Sequence, residues 1–121
     1  MKHLRKGRKL KRTKDKRNAL LKTMLGSFVM REKIQTTEAK AKELKGLIDQ
    51  IINKAKSAKK TSKKVSVIRD LKQYLPIMAI NKLSGSFIDK FSKRSSGYCR
   101  IIKIAARKSD AARMAIIEFV D

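Results

Sequence analysis

The chain has 121 residues, enough for one domain with a modest hydrophobic core and too few for two independently folding domains. Its 33 lysine and arginine residues face only 10 aspartate and glutamate residues, and the formal net charge of +23 calls for a polyanionic partner such as nucleic acid or an anionic membrane. A hydrophobic content of 41% excludes a wholly disordered basic tail, and a single cysteine excludes both an internal disulfide bond and a zinc site built on several cysteines.

The sequence also argues against a secreted or membrane-spanning protein. It lacks the run of about 18 or more apolar residues that a membrane-spanning helix requires. The charged start is followed by more charge, where a signal peptide has an apolar stretch. We therefore expect a cytoplasmic protein, or an organellar one if the source is eukaryotic.

The first 17 residues form a basic segment with almost no apolar side chains. They include ten lysine and arginine residues and one acid, Asp15, and only Leu4 and Leu10 could enter a core. With Gly7 as a hinge and no apolar periodicity, such a segment is expected to be disordered until phosphates neutralise it. We predict a flexible basic arm over residues 1–14 and a single globular domain over residues 15–121.

Two helices are predicted in the first half of the domain. From about Asp15, apolar residues at positions 21, 24, 25 and 28 place one stripe on a helix that runs to about Arg31, with Thr13 or Asp15 as its cap. A short extended piece over residues 33–36 follows. Thr37 then stands as the N-cap of a second helix, with Glu38 at its positive end. Its apolar stripe comprises Ala41, Leu44, Leu47, Ile48, Ile51, Ile52 and Ala55.

The second half switches from helical to strand periodicity. Apolar spacing predicts a third helix from Val65 that stops at Leu75, because proline disfavours helical geometry in the residue before it. Pro76 opens a fourth helix to Gly85, followed by a short turn over residues 87–91 and a loop over residues 92–97. Residues 98–107 and 114–120 are rich in β-branched side chains and predict a hairpin, to which residues 34–36 could add a third strand. The order helix, strand, three helices, two strands predicts an α+β fold with two layers.

Residues suited to catalysis are scarce. The only histidine is His3 on the arm, the acidic residues are spread along predicted solvated surface, and the five glycines never form a phosphate-binding loop. We predict a non-catalytic protein with no cofactor, no metal site and no small-molecule substrate. Cys99 falls in a predicted strand, where a small buried hydrophobic residue is the favoured interpretation over a reactive thiol.

The basic and aromatic residues each allow two interpretations. Any single lysine of residues 54–64 could contact a phosphate or could simply be solvated at the end of a helix. Most aromatic residues lie in phase with apolar stripes and are predicted to pack in the core. Tyr98 is the exception, because beside Gly97 and Arg100 it could meet a nucleotide as readily as it could pack in the core or at its rim.

Four segments together resemble one protein family. They are residues 4–10 of the basic start, the double threonine and helix of residues 36–44, residues 96–101, and the closing strand of residues 114–120. In this combination they are similar to the bacterial large-subunit ribosomal protein seventeen family. The resemblance implies an α/β ribosomal fold and a structural role on large-subunit ribosomal RNA, toward the side where the nascent peptide emerges. It also implies neighbouring ribosomal proteins as partners.

Most of the candidate RNA contacts lie in the basic start of the chain, and the others lie at separate positions in the domain. Within the arm, arginines are weighted above lysines because the guanidinium group binds phosphate through two fixed hydrogen bonds. The predicted RNA-binding residues are Lys2, His3, Arg5, Lys6, Arg8, Lys9, Lys11, Arg12, Lys14, Lys16, Arg17, Lys40, Arg94, Tyr98, Arg100 and Arg107.

Two other functions are also compatible with this sequence. A nucleoid-type DNA-binding protein would carry the same positive charge, since electrostatics alone does not separate DNA from RNA. A peripheral membrane protein is suggested by the basic amphipathic helix of residues 38–56. The second alternative is disfavoured because a compact core needs the same apolar stripe and the chain has no tryptophan.

Overall fold

A computed structural model of the chain describes residue 8, residues 10–60 and residues 64–120, with the backbone alone for residues 59, 60 and 64. The arm residues predicted at positions 1–7 and 9 lie outside these described residues. The elements are α1 (Lys14–Arg31), β1 (Lys33–Thr37), α2 (Glu38–Lys60), α3 (Lys64–Leu71), α4 (Ile77–Ser84), a short 3-10 helix (Ser86–Phe91), β2 (Cys99–Ile104) and β3 (Met114–Phe119). This order confirms the predicted α+β fold.

The three strands form one antiparallel sheet in the order β1-β3-β2. The β2 and β3 strands are the predicted hairpin, and β1 pairs with the other edge of β3 as the predicted third strand. Along β3, Ala115, Ile117 and Phe119 are buried while the residues between them are half-buried. This alternation with a period of two residues directs one face of the sheet toward the helices.

The core lies between that face of the sheet and α2, the longest helix. Leu44, Ile48 and Ile52 on α2 are fully buried, as its apolar stripe predicts. The rings of Phe28 and Phe119 stack at a centroid distance of 4.2 Å and join α1 to β3. Aromatic packing of this kind confirms that most of the rings belong to the core.

The end of α3 differs from the prediction. The helix stops at Leu71, four residues before the predicted end, and Tyr74 and Leu75 then both donate backbone hydrogen bonds to the Leu71 carbonyl. The bond from Tyr74 has the tighter i to i+3 pattern that closes many helices. Leu75 remains buried because the turn folds its side chain back onto the core.

The predicted helix caps were only partly correct. Thr13 occupies the N-cap position of α1 but makes no side-chain hydrogen bond there, and the helix begins at Lys14. Thr37 directly precedes α2, yet it belongs to β1, where it pairs with Met114. The backbone N–H of Glu38 donates to the Arg113 carbonyl at 2.9 Å, so the hairpin loop satisfies a helix N–H group that would otherwise need a cap.

Candidate nucleic-acid interface

Carboxylates on the described surface are mostly engaged with lysine and arginine side chains of the same chain. Ion pairs join Arg8 to Glu43, Lys33 and Arg100 to Glu118, Lys42 and Lys103 to Glu38, Lys82 and Lys90 to Glu32, and Arg107 to Asp110. With 10 acidic residues against 33 basic ones in the whole chain, pairing of this kind leaves most of the positive charge uncompensated. The surface is therefore suited to a polyanion.

The predicted arm contacts α2 through Arg8. The backbone N–H and the guanidinium group of Arg8 both donate to Oε1 of Glu43, at 3.0 and 3.1 Å. Leu10 and Lys11 follow with φ angles of 53° and 54°, a left-handed backbone that turns the chain into α1. Arg12 donates to the Leu10 carbonyl across this turn at 2.9 Å. The predicted contact residues Lys11 and Arg12 are exposed.

Three further candidates belong to a helix and not to an extended segment. Lys14, Lys16 and Arg17 lie in the first turn of α1, which corrects the placement of Lys14 in the arm. The two lysines are exposed and Arg17 is half-buried. A helix N-terminus carries a partial positive charge, so these side chains add to a field that already attracts phosphate.

Arg100 lies in a row of charges that crosses the sheet. The register places Lys33 of β1 and Arg100 of β2 on either side of Glu118 in β3. The Nε atom of Arg100 lies 2.7 Å from a Glu118 oxygen, and Nζ of Lys33 lies 3.7 Å from the other oxygen. The hydrogen bond from Arg100 lowers the pKa of Glu118 below its ordinary value. Opposite charges that face each other across strands stabilise this register.

Arg107 is held in a similar way at the hairpin loop. Its guanidinium group donates two hydrogen bonds to the carboxylate of Asp110, at 3.0 and 2.9 Å. This pairing raises the pKa of Arg107 and lowers that of Asp110. Arg107 remains exposed, and Lys40 on α2 is half-buried. Lys40, Arg100 and Arg107 stay predictions as RNA contacts.

Tyr98 is buried, which corrects its place among the candidate RNA contacts. Its ring has 0% exposure and packs edge-on against Phe91 at a centroid distance of 5.4 Å. A ring without exposed surface cannot stack on a base. Of the two interpretations that the sequence left open for Tyr98, core packing is correct.

Three polar residues of α2 that are not among the predicted RNA-binding residues hold the loop of residues 92–97. Asp49, Asn53 and Lys56 are spaced i, i+4 and i+7, which places them on one face of α2. The carboxylate of Asp49 accepts from the backbone N–H groups of Gly97 and Tyr98 at 3.4 and 3.2 Å. The spacing of this row of polar residues beside the apolar stripe is visible in the sequence. It does not show what they bind, because their hydrogen-bond partners lie more than 35 residues away in sequence.

The other two members of this row contact Tyr98 and Arg94. Asn53 accepts a hydrogen bond from the Tyr98 hydroxyl at 2.5 Å. Lys56 donates to the Arg94 carbonyl and to the Tyr98 hydroxyl, the latter at 3.2 Å. The loop that contains the candidate Arg94 is thus held on α2 directly by Asp49 and Lys56, and Asn53 holds the adjacent Tyr98.

Known proteins are similar in sequence to this chain over most of its length. Residues 20–120 match the family described as Ribosomal protein L17. The protein named Large ribosomal subunit protein bL17 from Staphylococcus carnosus (strain TM300) is 38% identical over 119 residues, which cover 93% of this chain and 98% of the relative. The proteins of the same name from Anaeromyxobacter sp. (strain K) and Sphingopyxis alaskensis are also 38% identical, over 121 residues that cover all of this chain and 74% and 84% of the relatives.

The chain belongs to the Ribosomal protein L17 family. The resemblance that the sequence suggested is therefore confirmed. The family match begins inside α1 and includes every later element, so it covers the scaffold of the loop as well as the sheet.

The sequence predicts neither a metal site nor a membrane-spanning helix in this L17-family chain. Within residues 8, 10–60 and 64–120, no group of three histidine, cysteine, aspartate or glutamate side chains is placed to hold a metal ion. None of the helices in this part of the chain has the length and apolar character needed to cross a bilayer. Cys99 is buried, and burial raises the pKa of its thiol to about 12.

Proposed function

We propose that this chain is a structural, non-catalytic constituent of the large ribosomal subunit that binds and stabilises large-subunit ribosomal RNA. The observation that carries the proposal is a folded L17-family domain with 33 basic and 10 acidic residues. Its relatives are named proteins of the large ribosomal subunit, which supports assembly with that RNA and with neighbouring ribosomal proteins. The family resemblance further suggests a position toward the peptide-exit side.

Neutralisation of phosphates is the mechanism that fits these residues. Lys11, Arg12, Lys14 and Lys16 are exposed where the arm enters the domain. Contacts between such side chains and phosphates release counterions from the RNA, which favours binding at low salt. They position RNA without reading its sequence, so specificity would come from the shape of the folded RNA.

The buried face of α2 argues against the membrane alternative. Leu44, Ile48 and Ile52, which would have to enter the lipid, are fully buried in the core. An amphipathic helix that binds a membrane surface needs that face exposed. Vesicles of anionic lipid should therefore not retain the folded protein in high salt, where electrostatic attraction is screened.

The test of the proposal is the salt dependence of binding to purified large-subunit ribosomal RNA. With about six to ten phosphate contacts, the affinity should fall by roughly 10³–10⁵ between about 50 and 200 mM salt. The protein should also co-sediment with large ribosomal subunits at low salt and be stripped from them at high salt. A nearly flat salt response, or a preference for bulk duplex DNA in direct competition, would overturn the proposal.

The role of the arm, together with Arg17 at the start of α1, is tested in the full-length chain. Replacing Arg5, Arg8, Arg12 and Arg17 by glutamine should lower the slope of log affinity against log salt by about three, since each lost phosphate contact removes about 0.7–0.9. Replacing the same four residues by lysine is the matched control, because it keeps the charge. Equal slopes for the glutamine variant and the wild type would show that these four residues do not contact RNA phosphates.

A further inference from the structure

A basic groove lies between the C-terminal half of α2 and the loop of residues 92–97. Its volume is about 470 Å³, and its lining includes the cationic side chains Lys56, Lys93 and Arg94. Asn53 and three serines complete the lining, so every side chain that the structure places along this groove is cationic or neutral and polar. The groove is therefore lined by hydrogen-bond donors and positive charge.

The hydroxyl of the buried Tyr98 lies between the two walls of this groove. It lies 2.5 Å from Oδ1 of Asn53 on the α2 wall and 3.1 Å from the carbonyl of Arg94 on the loop wall. A phenol has one hydrogen, so the hydroxyl donates to one of these acceptors at a time, and Lys56 completes the link between the walls by donating to both the hydroxyl and the Arg94 carbonyl. Because the Tyr98 ring is fixed against Phe91, the hydroxyl has little freedom to move.

Lys56 reinforces the same connection and carries its charge into the groove. Its ammonium group donates to the Arg94 carbonyl and the Tyr98 hydroxyl, and it lies 5.2 Å from the centroid of the Tyr98 ring. Neither of these hydrogen-bond acceptors is charged, so these bonds orient the ammonium group without cancelling its charge. An ammonium group has three donors, and the two bonds use two of them.

We propose that this groove binds backbone phosphates of RNA and that Tyr98 is a positioning residue which holds its two walls at a fixed separation. The proposal rests on the proposed function, for which it names one specific site. Clustered lysine, arginine and hydroxyl donors suit phosphate oxygens, and they offer little to an apolar or basic partner. Hydrogen bonds already hold the loop of residues 92–97 on α2. RNA binding therefore does not have to order this loop, and the entropic cost of ordering it does not reduce the affinity.

The first experiment compares two pairs of charge-removing substitutions in the full-length protein. K93Q with R94Q removes two charges from the groove, and R69Q with K72Q removes two from exposed positions on α3 and the turn after it. Binding to purified large-subunit ribosomal RNA is measured from 50 to 300 mM salt for each. We expect the groove pair to lower the salt slope by about 1.4–1.8, and the control pair to change it by less than about 0.5.

The second experiment tests Tyr98 through the substitution Y98F, which keeps the ring and removes only the hydroxyl. At a temperature where circular dichroism shows a fully folded protein, Y98F should weaken RNA binding and accelerate amide hydrogen exchange in residues 94–98. In the K93Q/R94Q background, Y98F should have little further effect on affinity, because the site that it positions is already lost. A purely structural role would weaken binding by the same factor in both backgrounds.

The outcomes separate this proposal from the proposed function. If wild-type protein binds RNA with a steep salt slope but the groove and control pairs lose equal amounts, the groove is not the site and the proposed function stands. If the wild type shows a nearly flat salt response, the proposed function fails, and the groove proposal fails with it. Equal effects of Y98F in both backgrounds would overturn the positioning role even if the groove pair behaves as expected.

Discussion

Gly26 in α1 lies directly against the ring of Pro76 at the start of α4. A Cβ atom placed on Gly26 would come within 2.5 Å of Cγ and 2.7 Å of Cδ of that proline. These distances are shorter than van der Waals contact, and a proline ring cannot swing away as a flexible side chain can. The absence of a side chain at Gly26 therefore allows α1 and α4 to pack in contact.

This contact predicts opposite effects for two glycine substitutions in helices. Gly26→Ala should lower the free energy of unfolding by about 1–3 kcal/mol, because overpacking against Pro76 outweighs the helix preference of alanine. Gly46→Ala is the matched control, since nothing lies within 4 Å of a Cβ at that position on α2. It should raise stability by up to about 1 kcal/mol. Urea unfolding measures both, and stabilisation by both substitutions would contradict the close packing.

The buried cysteine predicts slow thiol chemistry in the native protein. Burial raises the pKa of the Cys99 thiol to about 12, so the reactive thiolate is scarce at pH 8. An aromatic disulfide reagent should therefore label native protein far more slowly than protein in 6 M guanidinium, about the concentration that unfolds most domains. Cys99→Ser provides the blank. Rapid labelling of the native protein would place the thiol at the surface.

The ion-paired carboxylates predict a loss of stability in acid. The hydrogen bond from Arg100 lowers the pKa of Glu118, and the hydrogen bond from Lys90 lowers that of Glu32. A carboxyl whose folded-state pKa lies below its unfolded value stabilises the fold above the unfolded value, about 4.3 for glutamate, and loses this contribution as the pH falls through the lower folded value. Thermal unfolding temperatures should therefore fall as the pH is lowered from 6 to 3.

A substitution isolates the contribution of Glu118 to this pH dependence. Glu118→Gln should lower stability at pH 6 and have a smaller effect at pH 3, because the wild-type carboxyl is itself more protonated there. Asp70→Asn on α3 makes the same change in charge and serves as the control. If both variants lose the same stability at pH 6, net charge and not the row from Lys33 to Arg100 accounts for the effect.

Periodicity alone predicted most of the elements of this fold. The apolar stripe of α2 and the β-branched runs of β2 and β3 identified a helix and a hairpin, because side chains repeat every 3.6 residues in a helix and every two in a strand. The predicted end of α3 at Leu75 was wrong because Leu71 and Leu75 are both apolar residues at helical spacing, so periodicity does not show at which of them the helix ends. A turn that buries Leu75 preserves the same apolar pattern while it ends the helix.

The candidate site was predicted less completely than the fold. The charge excess and the arm are visible in the sequence, but Arg8, Arg100 and Arg107 all contact carboxylates that periodicity does not identify. The register of the sheet decides that Arg100 and Lys33 share Glu118. Composition counts these charges without showing which of them face one another.

The sequence by itself determined the basic character of this protein, its α+β order of elements and its resemblance to a ribosomal family. These properties depend on composition and on neighbours within a few residues along the chain. Only the tertiary structure decided that Tyr98 is buried and that Asn53 and Lys56 hold the loop of residues 92–97 through it. Those contacts join residues more than 40 positions apart, so they form only when the core brings α2 and the start of β2 together.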